Sequence, residues 1–134
     1  MGAVLGFDYG TRKIGVAVGQ TVTGTATPLV TLPTRDESPD WTAIGRLVAD
    51  WQPEAFVVGL PLEMDDTEAP VAVRARRFAR QLAGRYRLPV HMADERLTTR
   101  EARRQLGRDG VRDAAAVDAV AARLILETWL NDRD

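Results

Sequence analysis

A chain of 134 residues, 45% hydrophobic and 28% charged, is expected to form one ordinary domain with a real core, and is too short for two full lobes. Zero cysteines exclude disulfides and thiolate metal sites and fit a reducing compartment. Met1-Gly2-Ala3 leads into an apolar strand without a basic leader, and no apolar run reaches the length of a membrane span, so a cytoplasmic location is expected.

Strands are expected near 3–8, 14–20 and 26–32, the first two joined as a hairpin through Gly10-Thr11. Ser38 as N-cap with Pro39 at the first helical position predicts a helix whose apolar stripe is Trp41, Ile44, Leu47, Val48 and Trp51. Pro53 should end it. The run 54–60 reads as a short, fully buried strand. A helix over about 67–86 carries arginines on one side, and a last strand over 89–93 runs into Asp94-Glu95. Two closing helices are expected, near 99–106 and 114–130, separated at Gly110. The fold class is therefore α/β: a mixed five-stranded sheet, three antiparallel strands followed by two parallel ones, flanked by helices. That is the succession of a ribonuclease H-like domain spanning 1–134.

Three carboxylate positions carry the chemistry. Asp8 ends the first strand, where a buried-strand anion needs a cation, a metal or a ring of donors. The alternative is that it accepts hydrogen bonds from the amides of Gly10 and Thr11 and holds the turn. The second position is the pair Asp94-Glu95, and the third is Asp118, set in Val117-Asp118-Ala119-Val120-Ala121-Ala122. Strand ends in such a sheet gather at one edge. Asp118 by itself reads as a first-turn acid favoured by the helix dipole, but the three together read as a site. Carboxylates repel, and a hard divalent cation is the usual reason to gather them. Two such ions about 3.5 to 4 Å apart can activate water and stabilise the leaving oxygen of a phosphodiester, with no Cys or His ligand required. His91, within the last strand, is expected to be a buried structural imidazole.

Charge is unevenly distributed. From Arg74 to Arg108 there are eleven arginines against Asp94, Glu95 and Glu101, a local charge of +8 in a chain whose net charge is −1. Such a field attracts a polyanion, although arginine runs are commonly solvated helix faces. Arg76, Arg77 and Arg80 are the candidate nucleic-acid contacts on the helix. Arg96, Thr98 and Thr99 beside the carboxylates set a guanidinium and two hydroxyls where phosphate contacts are needed, or else a threonine caps the next helix. The loop Gly59–Pro70 joins the same edge to the arginine helix, and Thr67-Glu68 can start that helix with its amides toward a phosphate.

Gly6-Phe7-Asp8-Tyr9-Gly10-Thr11-Arg12 with Ile14-Gly15-Val16-Ala17, Val58-Gly59-Leu60-Pro61-Leu62, Asp94-Glu95-Arg96-Leu97-Thr98-Thr99 and Asp118 before Ala121-Ala122 resemble the YqgF/RuvX family over nearly the whole chain. The resemblance implies a ribonuclease H-like, Holliday-junction-resolvase-related endonuclease assigned to maturation of the 5′ end of 16S ribosomal RNA. It implies Asp8, Glu95 and Asp118 as catalytic metal ligands for Mg2+ or Mn2+, with Asp94 as a neighbour. Thr11, Arg12 and Lys13 are further expected nucleic-acid contacts; the expected partner is precursor rRNA, branched DNA or a ribosomal particle, and the expected state is a monomer or homodimer. Where the family reads Asn-Met-Asp-Gly-Thr-Glu-Gly-Pro, this chain has Glu63, Asp66 and Ala69 at the first, fourth and seventh positions, and the added negative charge weakens phosphate contact by that loop. Asp8-Tyr9-Gly10-Thr11 also resembles the phosphate hairpin of actin-like and sugar-kinase ATPases, which close two lobes around a nucleotide. A non-catalytic nucleic-acid-binding module is a third reading, separated from a nuclease by metal dependence and products.

Overall fold

The computed structural model describes residues 2–60, 70–94 and 114–131, with the backbone alone at 94 and 114–117. In chain order these form β1 (Ala3–Asp8), β2 (Lys13–Gln20), β3 (Thr25–Pro33), α1 (Trp41–Trp51), β4 (Ala55–Leu60), α2 (Pro70–Tyr86), β5 (Val90–Asp94) and α3 (Ala114–Asn131). The expected strands fall within a residue or so of these bounds. The helix anticipated over 99–106, and the first residues of the arginine helix at 67–69, lie outside the described residues.

The sheet has the order β3-β2-β1-β4-β5. Strands β1, β2 and β3 pair antiparallel, and β4 pairs parallel with both β1 and β5. The central strand reads as one apolar run because both of its faces are covered: Val4, Leu5 and Phe7 are exposed by 1% or less. All six residues of β4 are buried for the same reason.

Alternation along the strands divides the core in two. Leu5 and Phe7 of β1, Ile14, Val16 and Val18 of β2, and Phe56 and Val58 of β4 pack with Ile44 of α1 and with Ala75, Phe78 and Leu82 of α2. Phe78 is the centre of that side, with ring centroids 5.3 Å from Phe7, 5.2 Å from Tyr9 and 5.6 Å from Trp41. The other side joins Val4, Ala17, Ala55 and Val57 to Ala122, Ile125, Leu126 and Leu130 of α3.

The start of α1 differs from the sequence expectation. Asp40, not Ser38, is the N-cap, its Oδ1 accepting the Ala43 N–H at 3.0 Å, and Pro39 precedes the helix instead of opening it. The backbone of Ser38 is already committed. Its N–H donates to the Arg35 carbonyl at 2.8 Å and its carbonyl accepts the Arg35 N–H at 3.0 Å. Asp36 (φ 51°) and Glu37 (φ 64°) between them are left-handed, the geometry of a two-residue hairpin turn. The far end of α1 behaves as expected: Gln52 is left-handed, its N–H closes on the Val48 carbonyl at 2.8 Å, and Pro53 follows.

Candidate active site

The last rung of the β1–β2 ladder sets the geometry. Asp8 pairs with Gly15, and by alternation it shares the α3 side of β1 with Val4. A Cβ on Gly15 would lie 2.1 Å from the Asp118 carbonyl oxygen and 2.4 Å from its carbonyl carbon. Only glycine allows this approach, so the first turns of α3 rest directly on the β2 backbone. Asp118 therefore sits over Gly15, and Gly15 lies one strand spacing, about 5 Å, from Asp8. Ala119, Ala121 and Ala122 are buried beside it, and their small side chains permit the close approach.

Lys13 lies two residues before Gly15 and shares its face. Its Nζ is 3.1 Å from Asp118 Oδ2, in a pair whose side chains are 41% and 22% exposed. That Oδ2 is itself buried and accepts no hydrogen bond of regular geometry, so its contact with Lys13 is a bare ionic one. The sequence offers Lys13 as a nucleic-acid contact; its partnership with Asp118 has one signal there, the two-residue spacing from Gly15.

Asp94 closes β5 opposite Leu60. With β4 between them, β5 and β1 are two strand spacings, roughly 10 Å, apart at this edge. The structure thus brings Asp8 and Asp118 together and sets Asp94 on the same edge of the sheet. Glu95, Arg96, Thr98 and Thr99 lie outside the described residues, as does the loop over 61–69. Among the described residues, no three His, Cys, Asp or Glu side chains converge on one point.

The turn between β1 and β2 is braced by Thr34, the residue after β3. Thr34 Oγ1 donates to the Thr11 carbonyl at 2.6 Å, and the Thr34 N–H donates to the Arg12 carbonyl at 2.9 Å. Arg12 is exposed at this tip. On α2, Arg76, Arg77 and Arg80 are exposed, while Ala72, Ala75, Phe78, Ala79 and Leu82 form the buried face. Arg74 of this helix pairs with Glu37 of the 35–38 turn, and the Arg85 guanidinium stands 4.1 Å over the Trp41 ring. Tyr9, immediately after Asp8, faces the opposite side of the sheet and lines a recess of about 190 Å³ with Ser38, Arg74, Arg77 and Gln81. Burial raises the Tyr9 pKa above its usual value, with Arg74 opposing, Glu37 adding to the rise and Arg77 opposing. The recess is not legible in the sequence because its residues come from three separate segments.

His91 corrects an expectation. It is exposed, not buried, and its ring lies 4.8 Å from that of Trp129. Strand β5 is an edge strand, so its α3 side is only partly covered and an imidazole there meets solvent.

The family model described as "RuvX: Holliday junction resolvase" matches residues 2–132. A protein of Azotobacter vinelandii named "Putative pre-16S rRNA nuclease" is 54% identical over 133 residues, covering 97% of this chain and 94% of its own length. One of the same name from Pseudomonas putida is 52% identical over 132 residues, covering 96% and 94%. Among solved structures, Thermus thermophilus RuvC in complex with a Holliday junction substrate is similar at a TM-score of 0.58 and 20% identity, covering 100% of this chain and 99% of that one. Fowlpox virus resolvase with Holliday junction DNA is similar at 0.59 and 8%, covering 96% and 97%. At such identities the likeness is one of fold, and the fold is ribonuclease H-like.

Proposed function

The chain belongs to the RuvX family, and from that premise we propose that it is a divalent-metal-dependent endonuclease that hydrolyses phosphodiester bonds of precursor 16S ribosomal RNA near the 5′ end. The observation that carries the reading is the convergence of Asp8 and Asp118 across the bare backbone of Gly15. The names of the relatives at about half identity support the RNA substrate, and the family description supports branched DNA as the second one.

The donor set suits a hard cation. It is all oxygen, and the buried Asp118 Oδ2 has an ionic contact and no hydrogen bond, the condition of an oxygen available to a metal. We assign Asp8, Glu95 and Asp118 as the ligands of Mg2+ or Mn2+, with Asp94 beside them. The choice of Glu95, with Asp94 as its neighbour, rests on the resemblance to the RuvX family. Divalent metal bound there supplies activation of the attacking water and neutralises charge on the phosphate. The chain's own part is to hold the carboxylates on a rigid sheet edge and to bind the backbone of the nucleic acid. Thr11 and Arg12 at the hairpin tip, Arg76, Arg77 and Arg80 on α2, and Arg96, Thr98 and Thr99 are assigned to that second task. In this reading the protein works in the cytoplasm, as a monomer or homodimer, on free precursor RNA or on a ribosomal particle. Among the described residues no helix is long and apolar enough to cross a membrane.

The test is cleavage of 16S precursor RNA beside a four-way DNA junction in Mg2+, Mn2+ or chelator, with Asp8→Asn as control. Asp8→Asn removes a ligand charge and keeps the shape, so turnover is expected to fall by more than about a hundredfold while circular dichroism and melting stay those of the native chain. Metal-dependent cutting of RNA alone supports rRNA processing, and cutting of the junction alone moves the function to recombination. A fully active Asp8→Asn protein overturns the assignment.

A further inference from the structure

The contact between Lys13 and Asp118 joins two groups with competing uses, and it rests here on the reading of Asp118 as a metal ligand. Lys13 Nζ stands 3.1 Å from the one oxygen of Asp118 that is buried and receives no hydrogen bond. The backbone cannot separate them. Gly15 fixes Asp118 on β2 at van der Waals limits, and Lys13 is on the same face of that strand, two residues away. The side chain, by contrast, is free to move: Lys13 is 41% exposed, on a flexible four-carbon stem that ends in a compact point charge.

We propose that Lys13 is the built-in counter-ion of Asp118, and that a divalent cation engages Asp118 only by displacing the Lys13 ammonium from Oδ2. Two cations cannot share this oxygen at close range without repelling. Lys13 thereby sets the metal concentration at which the site fills. It also stabilises the chain when metal is scarce, by neutralising a buried carboxylate oxygen for which the described residues supply no hydrogen bond. Lys13 is a positioning and threshold residue in this account, not a metal ligand.

Binding and stability test this without reference to cleavage. Mn2+ binding is measured by titration calorimetry on the native chain, Lys13→Met, Lys13→Arg, Asp118→Asn and the Lys13→Met/Asp118→Asn double variant. Lys13→Met is expected to bind Mn2+ roughly fivefold more tightly, the upper range for releasing a partly exposed ion pair. Lys13→Arg, which keeps the charge, should stay near the native value. Asp118→Asn should weaken binding and erase the effect of Lys13→Met in the double variant. Melting gives the opposite sign: in chelator Lys13→Met melts below the native chain, and saturating Mn2+ closes or reverses that gap. If Asp118→Asn weakens Mn2+ binding while Lys13→Met leaves it unchanged or weaker, the counter-ion role is overturned and the metal assignment stands. If Asp118→Asn leaves Mn2+ binding unchanged, the assignment of Asp118 as a ligand falls, and the proposal falls with it.

Discussion

The two faces of the sheet solve different problems with different residues. Toward α1 and α2 the space is filled by rings: Phe7, Phe56, Phe78, Tyr9 and Trp41 build a thick aromatic layer that holds the helices away from the strands. Toward α3 the strands offer Gly6, Gly15, Gly19 and Ala17, and the helix descends until Leu126, Leu130 and the Asp118 backbone touch the sheet. A thick layer supplies burial and tolerates arginines on its outer surface. A thin one brings a helix carboxylate down to the level of a strand carboxylate. Close approach of backbones, more than the choice of acidic residues, puts the candidate carboxylates on the α3 face.

That contrast can be broken from either side. Phe78→Ala removes the ring at the centre of the aromatic layer, and a loss of about 4 kcal/mol in urea unfolding is expected. Because Phe78 lies on the far side of the sheet, whatever protein remains folded should keep its Mn2+ affinity. Gly15→Ala strikes the thin side, where one methyl group meets the Asp118 carbonyl at 2.1 Å. A loss of about 3 kcal/mol is expected, together with loss of Mn2+ binding and cleavage, since α3 must lift from β2. The same substitution at Gly84, in α2 with nothing within 4 Å of the added carbon, should instead stabilise by about 0.5 to 1 kcal/mol. Equal responses at Gly15 and Gly84 in a melting series would dismiss the thin-layer account.

Smaller effects sharpen the division of labour. Replacing Arg76, Arg77 and Arg80 with glutamine should lower affinity for single-stranded RNA roughly tenfold and flatten the salt slope by about 2, since each lost phosphate contact removes about 0.7. Turnover at saturating RNA should be unchanged, because these side chains stand on α2 and the carboxylates face α3. Fluorescence anisotropy at several salt concentrations measures both quantities. The smallest effect is at Tyr9. Burial raises its pKa, so the folded chain keeps a proton that the unfolded chain releases above the usual value near 10. Its contribution is complete below that pH and is lost as the pH rises through the folded-state value. Tyr9→Phe should therefore show a shallower alkaline fall in stability than the native chain, read by urea unfolding on both sides of pH ~10. Identical pH profiles would place Tyr9 in a solvated setting.

Local pattern carried most of the architecture. The continuous apolar runs of β1, β2 and β4, Pro53 after α1 and the alanine-rich α3 are short-range signals, and each appears where the pattern indicates. The cap of α1 was misread because Ser38 and Asp40 are both competent caps. What decides between them is the backbone pairing of Ser38 with Arg35, a contact that spacing does not reveal. His91 was misread because burial of a strand residue depends on whether a neighbouring element covers it, and β5 lies at the edge.

For the site, the sequence by itself determined which carboxylates end strands or stand out of place in an alanine-rich helix, because those are properties of neighbours in the chain. It also determined that the basic residues cluster along one segment. Only the tertiary structure decided that Asp118 rests on Gly15 beside Asp8, and that Lys13 meets the buried oxygen of Asp118. The physical reason is the same in both cases. Partners about a hundred residues apart are selected by how closely a helix can approach a strand, and that distance is fixed by the absence of a side chain at Gly15.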